Sequence, residues 1–168
     1  MNRSIYLRNI IFGVEDSLVS TVGLLSGIDI GHVPNSTILF TGIVFIAVEA
    51  FSMAVGSFLS EESVEEYEEK GKSAGAGSPS MAPAAGAAIM FASFVVAGFI
   101  PLLPYLLVSG YSSLIISIVI SLIALGILGY ASAIVTKASP SKRTFRMVLL
   151  GGSAIIIGAL VSYFVRGV

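Results

Sequence analysis

Apolar runs alternate with short polar segments along the whole chain, and several of these runs could cross a bilayer. The hydrocarbon core of a membrane is about 30 Å thick, which an α-helix crosses in about 20 residues. The runs that reach this length are residues 10–30, 36–59, 85–108, 112–136 and 145–164. The pattern predicts an all-α integral membrane bundle of five transmembrane helices, a single domain over residues 1–168.

The composition agrees with a membrane location. Hydrophobic residues make up 55% of the chain and charged residues only 11%, with a mean hydropathy of +0.97, whereas soluble domains carry about 25% charged residues. Cysteine is absent, which excludes disulfides, thiolate metal ligands and cysteine nucleophiles. The basic residues form no continuous stripe, so a nucleic acid is not an expected partner.

The basic residues predict the orientation of the helices. With five spans, all but one of the lysines and arginines fall on the same side of the membrane. The positive-inside rule therefore places the N-terminus in the cytosol and the C-terminus outside. No vacuole-targeting signal is visible, and the lean form indicates a prokaryotic plasma membrane.

One sizeable polar segment, residues 61–84, separates the second and third runs. Its first part, residues 61–69, predicts a short acidic helix that extends the second span into the cytosol, and its second part is rich in Gly, Ser, Ala and Pro, which is typical of a flexible linker. The acidic part is either an ordinary solvated helix face or a cytosolic metal-collecting surface. The residues of that surface would be Glu61, Glu62, Glu65, Glu66, Glu68 and Glu69.

Three acids lie inside the first two apolar runs: Glu15, Asp16 and Glu49. An ionised carboxylate at the centre of a bilayer costs at least about 2.5–3.5 kcal/mol, so these acids are candidates for binding a cation. Met53 follows Glu49 by one helical turn on the same face, and Asp16 lies at a comparable depth. Carboxylates with a thioether sulfur suit a borderline divalent metal such as Fe²⁺ or Mn²⁺.

We therefore expect Asp16, Glu49 and Met53 to be metal ligands, with Glu15 as a further ligand or a proton acceptor. A low-dielectric setting favours the protonated form of a carboxyl group, and metal binding then expels the proton. The alternatives are that the acids stay protonated and form hydrogen bonds between helices, that Glu15 reaches toward the cytosolic surface, and that Met53 only fills space.

Small residues recur at helical spacing in the first span, where they define one face. Gly13, Asp16, Ser20, Gly23 and Gly27 are separated by three or four residues, and small residues at this spacing allow helices to approach closely in lipid. A similar surface on the second span, which includes Gly56, is predicted to match it. Gly13, Ser20, Gly23 and Gly56 are therefore candidate packing or pathway residues.

Three segments resemble motifs of the vacuolar iron transporter family, which includes yeast Ca²⁺-sensitivity-complementing and nodulin-like relatives. The segments are residues 14–27 (VEDSLVSTVGLLSG), 49–60 (EAFSMAVGSFLS) and 92–105 (ASFVVAGFIPLLPY). The resemblance implies a five-helix protomer, a homodimer with a pathway at its two-fold axis, and export of Fe²⁺ or Mn²⁺ against protons. The family's pathway aspartate corresponds to Asp16 and its second-helix methionine to Met53.

The chain departs from the family pattern in several places. Glu15 stands where the family often has Asn, Ser57 where many members have Glu, and Glu49 where many have a small residue. Most of the helical cytosolic metal-binding domain found in some members is missing between the second and third spans.

The sequence thus favours a homodimeric metal exporter of the lipid bilayer, with metal ion and protons as its substrates, no permanently bound cofactor and no enzymatic activity. Two alternatives remain. A non-transporting scaffold would hold its helices together through protonated acids, and a carrier of protons or another solute would work without metal.

Overall fold

A computed structural model describes residues 2–70, 82–108 and 110–166, and the side chains of residues 4–67, 82–108 and 110–165. The chain forms five antiparallel helices, each long and apolar enough to span a membrane, which confirms the predicted all-α membrane bundle. The helices are α1 (Asn2–Ile30), α2 (Asn35–Lys70), α3 (Ala82–Leu107), α4 (Tyr111–Thr136) and α5 (Pro140–Arg166).

The helices extend beyond the apolar runs at one end of the bundle. α1 begins at Asn2 rather than near residue 10, α5 begins at Pro140 rather than 145, and α2 continues without a break through the acidic residues to Lys70. Hydropathy misses these extensions because their side chains are polar, although the backbone hydrogen bonds of the helix continue. We call this end, where α1, α3 and α5 begin and α2 and α4 end, the basic end.

α1 occupies the centre of the bundle although it is the least apolar of the five helices. Within its most apolar window 44% of the residues are buried, compared with 6% in α5. It packs mainly against α3 and α5 and only lightly against α2. The buried hydroxyl of Ser17 donates a hydrogen bond to the backbone oxygen of Phe94 at 2.6 Å, so a polar side chain on α1 is satisfied by α3.

Two clusters of buried apolar side chains hold the bundle together. Leu25, Ile46 and Phe94 belong to the cluster between α1, α2 and α3. Leu18 and Leu125 belong to the cluster between α1, α3, α4 and α5. Because α1 contributes to both clusters, it joins the two halves of the bundle.

The small residues of α1 pack against α3 and α5. A Cβ atom on Gly27 would lie 2.9 Å from the backbone oxygen of Gly158, and one on Gly23 would lie 3.1 Å from that of Ala154. A Cβ atom on Gly13 would lie 3.1 Å from the sulfur of Met90. The predicted pairing with α2 is therefore wrong for these glycines, which pack against α3 and α5. α5 offers Ala and Gly at the matching spacing and allows the closer approach.

The outer surface of the bundle is apolar. Large hydrophobic side chains on every helix are exposed, among them Phe40 and Phe51 on α2, Ile127 on α4 and Ile156 on α5. Such a surface would be unfavourable in water and suits contact with lipid.

Candidate metal site

Asp16 of α1 and Glu49 of α2 interact electrostatically across the contact between the two helices. Both side chains are half-buried, and they lie close enough for their carboxylates to repel each other. The hydroxyl of Ser20 donates a hydrogen bond to the backbone oxygen of Asp16 at 2.6 Å and not to the Asp16 carboxylate. Two of the predicted ligands, on different membrane-spanning helices, thus share one electrostatic environment.

Glu15 has different surroundings from its neighbour in sequence. It interacts electrostatically with Arg143 and Arg146 of α5, besides Asp16. It also lines two cavities, one that extends along α2 and one at the start of α5. The structure therefore places Glu15 between the paired acids and the cationic residues of the basic end.

The larger cavity has a volume of 920 Å³ and opens at the basic end between α1 and α2. Met53 and Glu15 line it, together with the guanidinium-bearing residues Arg8 and Arg143, whereas neither Asp16 nor Glu49 is among its lining residues. Met53 also packs against the apolar cluster of α1, α2 and α3. Met53 therefore borders both the core and the cavity, one helical turn from Glu49.

Gly56 lines the same cavity, and a Cβ atom on it would meet nothing within 4 Å. Gly56 therefore makes no close packing contact with the described residues, contrary to the prediction. Ser20 and Gly23 line a separate apolar groove of 590 Å³ between α1 and α5.

The described part of one copy of the chain does not assemble a complete metal site from acids and histidine alone. Within the described residues, no three side chains of the types His, Cys, Asp or Glu gather closely enough to hold a metal ion. Asp16 interacts electrostatically both with Glu49 on α2 and with its neighbour Glu15.

Glu61 differs from the rest of the acidic run. Its side chain is only 6% exposed and forms an ion pair of 2.8 Å with Arg8 of α1. The same oxygen, Oε1, accepts hydrogen bonds from Asn9 Nδ2 at 2.9 Å and from the hydroxyl of Ser57 at 3.2 Å. Asn9 is itself buried and also donates to the Ser57 oxygen at 3.0 Å. Glu61 therefore connects α1 to α2 at the basic end.

The second carboxylate oxygen of Glu61 faces α3. A Cβ atom on Gly86 would lie 2.5 Å from Oε2 and 2.8 Å from Asn9 Nδ2, so the absence of a side chain at Gly86 makes room for the group. This oxygen is buried and accepts no hydrogen bond from the described residues. We call Arg8, Asn9, Ser57, Glu61 and Gly86 the three-helix polar cluster.

The prediction of a solvated acidic face holds for Glu62 and Glu66, which are exposed, and in part for Glu65, which is half-buried. It is wrong for Glu61, because Arg8 and Asn9 draw this carboxylate inward. The side chains of Glu68 and Glu69, and the predicted linker at residues 71–81, lie outside the described residues.

A signal for Glu61 is present in the sequence. Glu49, Met53, Ser57 and Glu61 follow one another at intervals of four, so they lie along one side of α2. Extending the polar side of α2 by one more turn would have included Glu61.

Comparison with known proteins places this arrangement in a family. The model of the VIT family matches residues 7–76 and 69–163. Vacuolar iron transporter homolog 2 of Arabidopsis thaliana is 32% identical over 164 residues, covering 89% of this chain and 79% of the relative. Vacuolar iron transporter homolog 4 of the same plant is 34% identical, covering 89% and 78%. Vacuolar iron transporter 1, also of Arabidopsis thaliana, is 27% identical, covering 88% of this chain and 81% of the relative. The chain therefore belongs to the VIT family, a family of membrane transporters and not of enzymes.

Proposed function

We propose that this protein carries a divalent transition metal, Fe²⁺ or Mn²⁺, out of the cytosol in exchange for protons. The observation that supports this most strongly is the pairing of Asp16 and Glu49 on two membrane-spanning helices. The names of the relatives give iron as the cargo of those proteins.

The pair supplies a physical basis for exchange. Two carboxylates near each other in a low-dielectric setting repel strongly, and a bound cation relieves the repulsion. A divalent metal ion can do this for both groups at once, while a proton can do it by neutralising one of them. Metal and protons therefore compete for the same oxygens, and the arrival of one releases the other.

Met53 and Glu15 have separate roles in this proposal. The thioether of Met53, one turn from Glu49 and exposed to the cavity, adds a soft ligand that favours Fe²⁺ or Mn²⁺ over Mg²⁺ or Ca²⁺. Glu15 interacts with Arg143 and Arg146 and borders the open cavity. This position suits a group that passes protons between the cavity and the Asp16–Glu49 pair.

A second copy of the chain would complete the site. A two-fold axis duplicates every group beside it, so two copies meeting along α1 and α2 would bring together two Asp16–Glu49 pairs. The exposed apolar side chains of Val48, Phe51 and Val55 share one side of α2, which begins next to Glu49. Such a homodimer would cover this side. The basic end would face the cytosol, as the positive-inside rule requires.

Transport by purified protein in liposomes tests the proposal. A trapped indicator reports entry of Mn²⁺, or of Fe²⁺ under anaerobic conditions, with and without a pH gradient. Wild type should show gradient-dependent uptake, and Asp16→Asn and Glu49→Gln should each lose most of it. Glu62→Gln, the same chemical change at an exposed acid, is the matched control and should transport normally.

The outcomes separate the alternatives. Absence of uptake by folded wild type under either gradient would contradict the transporter proposal and favour the scaffold. Proton flux that does not depend on metal would favour a carrier of protons or another solute.

A further inference from the structure

A second cavity, of 520 Å³, lies at the connection between α4 and α5, outside the Asp16–Glu49 pair. Three cationic side chains line it: Lys142, Arg143 and Arg146. Its remaining lining residues are Glu15, Ala138, Ser139, Met147 and Leu150. The cavity therefore combines a cationic side with an apolar side.

The cationic side and the apolar side of the cavity lie at different positions along the axis of α5. Lys142, Arg146 and Leu150 are spaced by four residues, so they lie along one side of the helix. From Lys142 to Leu150 the helix rises about 12 Å, and the spanning part of α5 begins at Pro140. The cationic side thus lies at the end of the span, where the membrane meets water, and the apolar side lies deeper.

No ion pair between the described residues involves the three cations of this cavity. Among the described residues, the ion pair between Arg8 and Glu61 is the one found within 4.0 Å, and none of the three cations takes part in it. Glu15 attracts Arg143 and Arg146 from a longer distance. Three cations against one acid leave the lining with a net charge of +2.

We propose that this cavity binds the phosphate group of an anionic membrane lipid, with an acyl chain along Leu150. Arg and Lys side chains bind phosphate through charge-assisted hydrogen bonds, and basic pockets between spanning helices at the membrane surface hold anionic headgroups. The apolar side provides the surface that an acyl chain requires and that a soluble phosphate could not use. Lys142 and Arg146 are exposed, so a lipid can approach from the surrounding bilayer.

Native mass spectrometry of the purified protein in mild detergent measures this binding. The protein is titrated with phosphatidylglycerol, with phosphatidylcholine and, in a separate arm, with glycerol 3-phosphate. We expect one site that prefers phosphatidylglycerol. Lys142→Gln combined with Arg146→Gln should weaken it about 25-fold, since each basic residue near an anionic surface contributes about fivefold. Lys137→Gln removes an exposed cation from the same connection but outside the cavity, and should leave the affinity unchanged.

A second variant tests the sign of the charge effect. Glu15→Gln removes the acid from the cavity lining and should strengthen phosphatidylglycerol binding, because it ends the competition for Arg143 and Arg146. This result does not depend on metal transport.

Three results with lipids and variants would overturn the proposal, and a fourth concerns the soluble phosphate. They are equal binding of the two lipids, equal weakening by Lys137→Gln and by the double variant, and weaker binding in Glu15→Gln. Glycerol 3-phosphate binding as tightly as the lipid would assign the cavity to a soluble phosphate instead and overturn the lipid assignment.

Discussion

Glu61→Gln tests the three-helix polar cluster, because it removes the charge while keeping the size of the side chain. Glutamine can present one oxygen to the three donors that Oε1 serves in the structure, those of Arg8, Asn9 and Ser57. Its amide nitrogen then takes the place of Oε2, which is buried and meets no hydrogen-bonding group of the described residues. The substitution therefore weakens three hydrogen bonds and buries an unpaired donor.

The size of the expected destabilisation by Glu61→Gln follows from the exposure of each hydrogen-bonding partner. Arg8 is 60% exposed, and an ion pair that is screened by water contributes about 0–1 kcal/mol. Asn9 is buried, and its bond to a charged acceptor is worth about 1 kcal/mol more than the same bond to a neutral one. Release of the charge from its buried position offsets part of the loss. We expect Glu61→Gln to lower the free energy of unfolding by about 1–2 kcal/mol in total.

Thermal unfolding in detergent, followed by size-exclusion chromatography, measures this difference. For a chain of this size, 1 kcal/mol corresponds to about 2–4 °C in Tm, so Tm should fall by about 2–8 °C. Glu62→Gln is the matched control, because Glu62 is exposed and a surface substitution changes stability by about 0.5 kcal/mol at most. Equal Tm values for the two variants would refute the structural role assigned to Glu61.

Four further substitutions probe packing and the site. Gly27→Ala forces α1 and α5 apart, because its Cβ atom would lie 2.9 Å from a backbone oxygen. It should lower the free energy of unfolding, measured by thermal unfolding, by about 1–3 kcal/mol. The Cβ atom of Gly56→Ala meets no atom within 4 Å, so this variant should be neutral or stabilised by up to about 1 kcal/mol. Tyr105→Phe removes the hydroxyl that donates to Asp29 at 3.1 Å and should lower stability by about 1 kcal/mol, while an unchanged Tm would show that this bond contributes nothing. Met53→Leu conserves volume and should change stability by less than about 1.5 kcal/mol, yet reduce Mn²⁺ uptake in liposomes; unchanged uptake would exclude the thioether as a ligand.

The sequence predicts the five spans well, since runs such as residues 85–108 are apolar throughout and differ sharply from the segments between them. It predicts their ends less well, because a helix that leaves the membrane keeps its backbone hydrogen bonds while its side chains become polar. The continuation of α2 through Glu61 to Lys70 is an example. Hydropathy reports where the lipid is, and the helix extends beyond it.

The partners of each helix face are harder to predict. The spacing of Gly23 and Gly27 indicates a close approach by another helix, and the structure confirms such an approach, but to α5 rather than α2. Spacing describes one surface and contains no information about which other surface meets it. The buried contact of Glu61 with α1 is not predicted for the same reason, since Arg8 and Asn9 lie more than 50 residues away along the chain.

The predicted juxtaposition of Asp16 with Glu49 depends on less information. Depth in the membrane and the antiparallel arrangement of two consecutive helices are enough to bring them to the same level, where their charges interact. Their role as ligands remains a prediction, together with those of Met53 and Glu15.

Proton release on metal binding tests the central claim most directly. Purified protein in weakly buffered detergent solution is titrated with Mn²⁺, and the change in pH gives the protons released for each metal ion bound. If Asp16 and Glu49 exchange protons for metal, wild type should release protons in proportion to the bound Mn²⁺. The combination of Asp16→Asn with Glu49→Gln should then neither bind Mn²⁺ nor release protons. Undiminished Mn²⁺ binding by that double variant, or binding by wild type without proton release, would contradict the account.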